Sequence, residues 1–171
     1  DPAEECPLKR LTSDISDSQD TVGFYIQDTA ELAKGVLLAG DSLVFTAALR
    51  YDYVRHDITD RSPEEPGKAT GVATYDRFTP RVGINYNLTD QYGAYISYSE
   101  GFRAPAFLEL TCADPTSPCV GIQAGVAPDT GFFSLRPVKA RNYELGFRAR
   151  PVPWLEGSLG IFRTDVQDDI F

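Results

Sequence analysis

The sequence predicts an all-β fold, an antiparallel meander of about six strands that crosses a membrane, and three observations predict it. Apolar and polar residues alternate with a period of two over several runs, which places successive side chains on opposite faces of a strand. Aromatic residues stand at both ends of the apolar face while aliphatic residues fill its middle, the pattern of a strand whose two ends meet the headgroup layers of a bilayer. The connections alternate short and long, as they do when short turns lie at one rim of a barrel and long loops at the other.

The central hairpin, residues 75–105, carries the clearest case. Phe78, Pro80, Val82, Ile84, Tyr86 and Leu88 take one face of its first strand; Arg77, Thr79, Arg81, Gly83, Asn85 and Asn87 take the other. Leu88-Thr89-Asp90-Gln91 reverses the chain, and Tyr92, Ala94, Ile96 and Tyr98 then oppose Gly93, Tyr95, Ser97 and Ser99. At a rise of about 3.3 Å per residue and a tilt near 40°, ten or eleven residues cross a hydrocarbon band of about 25 Å, close to the length of 78–88. Pro80 cannot donate to a ladder, so a bulge or local break is expected beside it.

The other elements follow in chain order. Residues 1–20 are acidic and read as an extracellular loop; 21–171 read as barrel. Val22, Phe24 and Ile26 alternate with Gly23, Tyr25 and Gln27 in a first strand over 21–32, and Asp28 on its apolar side suits only the end of a span. Lys34, Gly35 and Gly40 mark a turn. Leu43, Phe45, Ala47, Leu49, Tyr51 and Tyr53 share one face of the second strand. Residues 59–75 are polar and rich in Pro and Gly, a long loop. A second long loop over 101–140 contains the cysteine pair, and loops of that length are commonly functional. Tyr143, Leu145, Phe147 and Ala149 oppose Asn142, Glu144, Gly146 and Arg148 in a fifth strand; Pro151-Val152-Pro153-Trp154 turns the chain into a sixth over 155–165. Tyr51, Tyr53, Tyr86, Tyr92, Tyr98 and Trp154 form the expected aromatic girdles.

In strands two to five none of the outward positions is charged, whereas the opposite positions carry Arg50, Asp52, Arg77, Arg81, Glu144 and Arg148. That segregation argues for a one-sided sheet. Overall composition hides it, since 24% of residues are charged and 42% apolar across all 171. A net charge of −9 disfavours nucleic acid as a partner. Cys112 and Cys119 bracket ADPTSP, a spacing that a local disulfide closes if the loop doubles back, which implies an oxidising compartment and leaves Cys6 odd. The single His56 lies far in sequence from every cysteine, so a zinc site is disfavoured, and the acidic lead has no ordered spacing of cation ligands. No catalytic motif is present, and Asn87-Leu88-Thr89 in a tight turn is a chance glycosylation match. These features predict no enzyme, no cofactor and no metal.

The stretches YDRFTPRVGINYNLTDQYGAYISYSEGFRAPAFLEL, LRPVKARNYELGFR and LEGSLGIFRTDVQDDI resemble the barrel of TonB-dependent outer-membrane receptors, and TVGFYIQDTAEL and LRYDYVRHDI resemble its preceding strands. The resemblance implies a 22-stranded barrel filled by an N-terminal plug, in the bacterial outer membrane, importing a scarce nutrient such as a ferric siderophore with energy from the TonB complex. Six strands cannot close a barrel, so the sequence is expected to be a segment of a longer chain, with the plug that meets TonB outside it. In the family's layout GFRAP begins an extracellular loop. Arg103, Phe102, Phe107, Tyr95, Arg77 and Arg81 are then candidates for a vestibule that attracts and stacks on an anionic, aromatic chelate. The competing role for the arginines is pairing with Asp52, Glu144 or plug residues in a water-filled lumen. Two other classes compete with the importer: a passive porin-like barrel, and a soluble secreted β-sheet binding module.

Overall fold

The alternating runs form one six-stranded antiparallel sheet in simple meander order, β1 (Ile15–Lys34), β2 (Ser42–Asp60), β3 (Gly71–Asn87), β4 (Tyr92–Arg103), β5 (Val138–Val152) and β6 (Leu155–Gln167). One short helix, α1 (Phe107–Thr111), follows β4. The computed structural model describes residues 14–63, 67, 69–111 and 135–169. Cys6, Cys112 and Cys119, and with them the expected disulfide, lie outside the described residues, as does most of the acidic lead.

Residues paired across an antiparallel ladder share a face, so the registers assign the two surfaces. Phe24, Tyr51 and Phe78 form one row; Ile84, Ile96, Leu145 and Ile161 form another; Ala94, Phe147 and Leu159 a third. All belong to the outward face. Leu49, Val82, Ile84, Ile96 and Phe147 are 39–56% exposed there, so no second protein layer covers them. Aromatics sit at its two ends, with Tyr51 against Phe78 at 4.8 Å and Tyr98 against Tyr143 at 5.1 Å at one end. Tyr92 stacks on Phe147 at 6.3 Å at the other. Tyr53 lies ten residues along β2 from Leu43, the partner of Tyr86, a rise of about 33 Å or about 25 Å of height at a 40° tilt.

The strands run further than the alternation predicts. β1 begins at Ile15, inside the acidic lead, and β2 and β3 continue to Asp60 and back from Gly71, shortening the loop between them. The reason is an inversion of apolar parity. Up to Tyr53 the apolar side chains of β2 point outward; beyond it Val54 and Ile58 are buried on the inward face, opposite Tyr75 and Gly71. There Ile58, Ala73, Tyr75, Leu110 and Leu135 form the core, with Ile15, Phe102, Ala104 and Phe107 packed against it. Above the bilayer no lipid rewards apolar residues outside, so the loop folded over the inward face takes them instead.

Two further expectations change. Asp28 does not end a span: it sits opposite Ala47, its Oδ1 accepting the Thr29 amide at 2.9 Å, and β1 continues through a bulge between Glu31 and Ala33. Pro80 makes no bulge toward β2, where the register runs unbroken through Leu49↔Pro80. The break falls on its other side, because β3 and β4 pair only from Arg81↔Ser99 to Asn87↔Gly93. Above that point Arg77 and Glu100 join the two strands by an ion pair at 2.7 Å.

The short connections cluster at the rim opposite the core. Thr89 Oγ1 accepts the amides of Gln91 and Tyr92 in the β3–β4 turn, a hydroxyl taking the place of a backbone acceptor. In the β1–β2 turn the Asp41 carboxylate is fully buried and accepts the amides of Val36 at 2.7 Å, Leu37 at 2.7 Å and Leu38 at 2.9 Å. It also accepts the hydroxyl of Tyr86. Gly35 and Gly40, with φ of 65° and 101°, supply the left-handed corners that this tight loop requires.

Candidate functional site

The inward face gathers the polar side chains that alternation placed opposite the lipid-type residues. At the core end it forms an open cleft of about 500 Å³ among Thr21, Arg50, Asp52, Thr79, Glu100, Phe102 and Arg103. β4 supplies one wall because its last residues part from β3 above Ser99 and remain paired with β5 through Arg103↔Val138.

Two of the six sequence candidates line this cleft. Arg103 projects from the end of β4 with its side chain half-exposed, and its Nη1 donates to both oxygens of Glu109 at 3.1 and 3.0 Å. Glu109 also accepts the Ala106 amide at 2.7 Å, so a single carboxylate ties the strand end to the start of α1. Phe102 lines the cleft while packing on the core, and Phe107 packs on the core from α1. Arg77 stands beside the cleft and spends its charge on Glu100, whose other oxygen accepts the Tyr98 hydroxyl at 2.6 Å.

Tyr95 and Arg81 lie elsewhere. Tyr95 is eight residues down β4 from Arg103, about 26 Å along the strand, too far to share a small ligand with it. Its hydroxyl donates to Glu144 Oε1 at 2.6 Å, and its ring lies over Gly146, where a Cβ would fall 2.3 Å from the ring atoms. Arg81, opposite Ala48 and Ser99, is exposed on the inward face and has no ion-pair partner among the described residues.

The pairing pattern therefore divides the arginines. Arg50 is held by Asp52 with Nη2 to Oδ1 at 2.7 Å, Arg77 by Glu100 and Arg103 by Glu109, while Glu144 is bonded by Tyr95. None of the pairs expected from sequence forms among the described residues: Asp52 takes Arg50 in place of Arg77, Arg81 or Arg103, and Glu144 takes the Tyr95 hydroxyl. Arg50, Glu100 and Glu109 were missed as site residues. Their signals were present: Arg50 and Asp52 are two apart on one face of β2, and Glu109 follows Arg103 across a proline in FRAPAFLE.

Below α1, His56 is 2% exposed and its Nδ1 lies 2.7 Å from Asp17 Oδ2, a pairing internal to the core end of the sheet. No nucleophile is placed beside it, and no group of three or more His, Cys, Asp or Glu able to hold a metal occurs among the described residues. A mainly apolar concavity of about 480 Å³ opens around the outward-row residues Ile84, Ile96, Leu145 and Ile161, with Glu144 and Arg163 also in its lining. The family model described as TonB dependent receptor-like, beta-barrel, matches residues 5–171.

Proposed function

Because the chain belongs to the TonB-dependent receptor-like β-barrels, transport proteins of the bacterial outer membrane and not enzymes, we propose that its inward face receives a ferric siderophore or a similar anionic chelate at the cleft beside Arg103. Transport of this kind is energised by TonB, which sets it apart from a passive porin and from a secreted binding module. Contact with TonB is made by a plug segment outside these residues. The observation that carries the reading is the meeting of Phe102, Arg103 and Arg50 at the open end of a polar face, with Arg81, which has no ion-pair partner among the described residues, further down. Aromatic planes accept the ligand's rings, and guanidinium groups attract and hold its oxygens. The outward rings Tyr51, Tyr53 and Tyr98 then stand at one headgroup boundary and Tyr86, Tyr92 and Trp154 at the other.

Uptake and binding of iron chelates by the full-length receptor test the assignment. Arg103→Ala is expected to weaken ligand affinity by tenfold or more, and Glu109→Ala, which frees α1 but keeps the cation, by much less. Equal losses in the two variants would reduce Arg103 to a loop anchor, and unchanged affinity in Arg103→Ala would remove the cleft from the binding site.

A further inference from the structure

The β1–β2 turn carries apolar residues where a water-facing turn has no use for them. Val36, Leu37 and Leu38 are 52%, 73% and 49% exposed. The neighbouring β3–β4 turn, at the same rim, exposes Thr89 and Asp90 instead. The direction in which the first turn folds follows from its knot. Asp41 lies two residues before Leu43, whose register partner is Tyr86, so all three share the outward face. The Asp41 carboxylate bonds the Tyr86 hydroxyl on that face and gathers the amides of Val36, Leu37 and Leu38 around itself. The turn is thus drawn over the outside of the sheet, continuous with the lipid-facing surface, and away from the lumen.

We propose that residues 35–41 form a hook that inserts Val36, Leu37 and Leu38 into the periplasmic leaflet of the outer membrane. Irregular backbone is excluded from lipid chiefly because its amides go unsatisfied there. Asp41 lowers that obstacle at the apolar residues: its carboxylate satisfies the amides of Val36, Leu37 and Leu38, Gly35 donates to its carbonyl at 3.1 Å, and its own amide donates to the Leu38 carbonyl at 3.3 Å. What remains at the tip is aliphatic. The hook anchors the rim at a fixed depth, and exposed Trp154 in the β5–β6 turn stands at the same rim.

The full-length receptor, with its native cysteines replaced by serine, is reconstituted in phosphatidylcholine–phosphatidylglycerol vesicles with an environment-sensitive NBD probe on Leu37→Cys. Blue-shifted emission is expected, with quenching at least threefold stronger by lipids brominated high on the acyl chains than by lipids brominated near their ends. The same probe on Asp90→Cys is expected to stay in water and unquenched. An unquenched Leu37 probe overturns the hook, whether its emission matches that of Asp90→Cys or is blue-shifted by docking against protein. Asp41→Ala is expected to abolish the quenching at Leu37 while the barrel keeps its heat-modifiable gel migration. Quenching that persists in this folded variant overturns the role given to Asp41; if the variant does not fold, the Leu37 measurement on the Asp41 background alone decides.

Discussion

Gly146 is defined by what lies over it. A methyl group there would meet the Tyr95 ring at 2.3 Å, so Gly146→Ala displaces the ring and breaks its bond to Glu144. The expected loss is about 1–3 kcal/mol of unfolding free energy in denaturant titrations. In a Tyr95→Ala background the same substitution costs little, because the clash is gone. Neither partner was legible alone: alternation placed Tyr95 on the inward face, but it could not tell that the ring lies flat on the next strand's glycine and is removed from a ligand. Asp41 was missed for a similar reason, since one carboxylate in a Gly-rich turn has many ordinary readings.

At the scale of elements, strands two to five could be read because lipid on one side and water on the other impose strict alternation. β1 outruns the predicted 21–32 at both ends, chiefly back to Ile15, because residues 15–20 are mainly polar and acidic and carry no alternation; Asp28, whose Oδ1 accepts the Thr29 amide, lies within the strand. The loop predicted over 59–75 is shortened because β2 runs on to Asp60 and β3 begins at Gly71, where apolar parity is inverted relative to Leu43–Tyr53 and alternation gives no continuous period. The cap that covers the inverted stretch depends on α1, whose Glu109 is bonded by Arg103 of β4. Glu109→Ala removes both the Arg103 contact and the bond from the Ala106 amide. Amides of α1 are expected to exchange with deuterium at least tenfold faster in this variant while those of β5 are unchanged; equal rates would show that Leu110 packing alone holds the helix.

For the molecule as a whole, the division between lipid and water faces is the property that adjacent residues can test. Ile96 lies mid-row on the outward face between Ile84 and Leu145, and Ser97 lies beside it on the inward face between Gly83 and Glu144. Ile96→Arg is expected to cost about 2–4 kcal/mol of folding free energy in vesicles, and Ser97→Arg less than about 1 kcal/mol. Similar costs at both positions would contradict a membrane wall. The meander and its membrane setting are legible because they rest on repetition along every strand. The cleft beside Arg103 is only partly legible in the sequence, because it depends on where β4 parts from β3, a three-dimensional event with one local trace in Pro80.

That parting changes what kind of wall this is. Between Arg81↔Ser99 and the top of β4, the two strands are stitched by the Arg77–Glu100 charges in place of a ladder of amides. A ladder yields only all at once, whereas a charged clasp opens and closes singly and loosens as salt rises. The sheet thus has a slit between β3 and β4 at its core end, held by one charged clasp whose opening leaves the ladder from Arg81↔Ser99 downward intact.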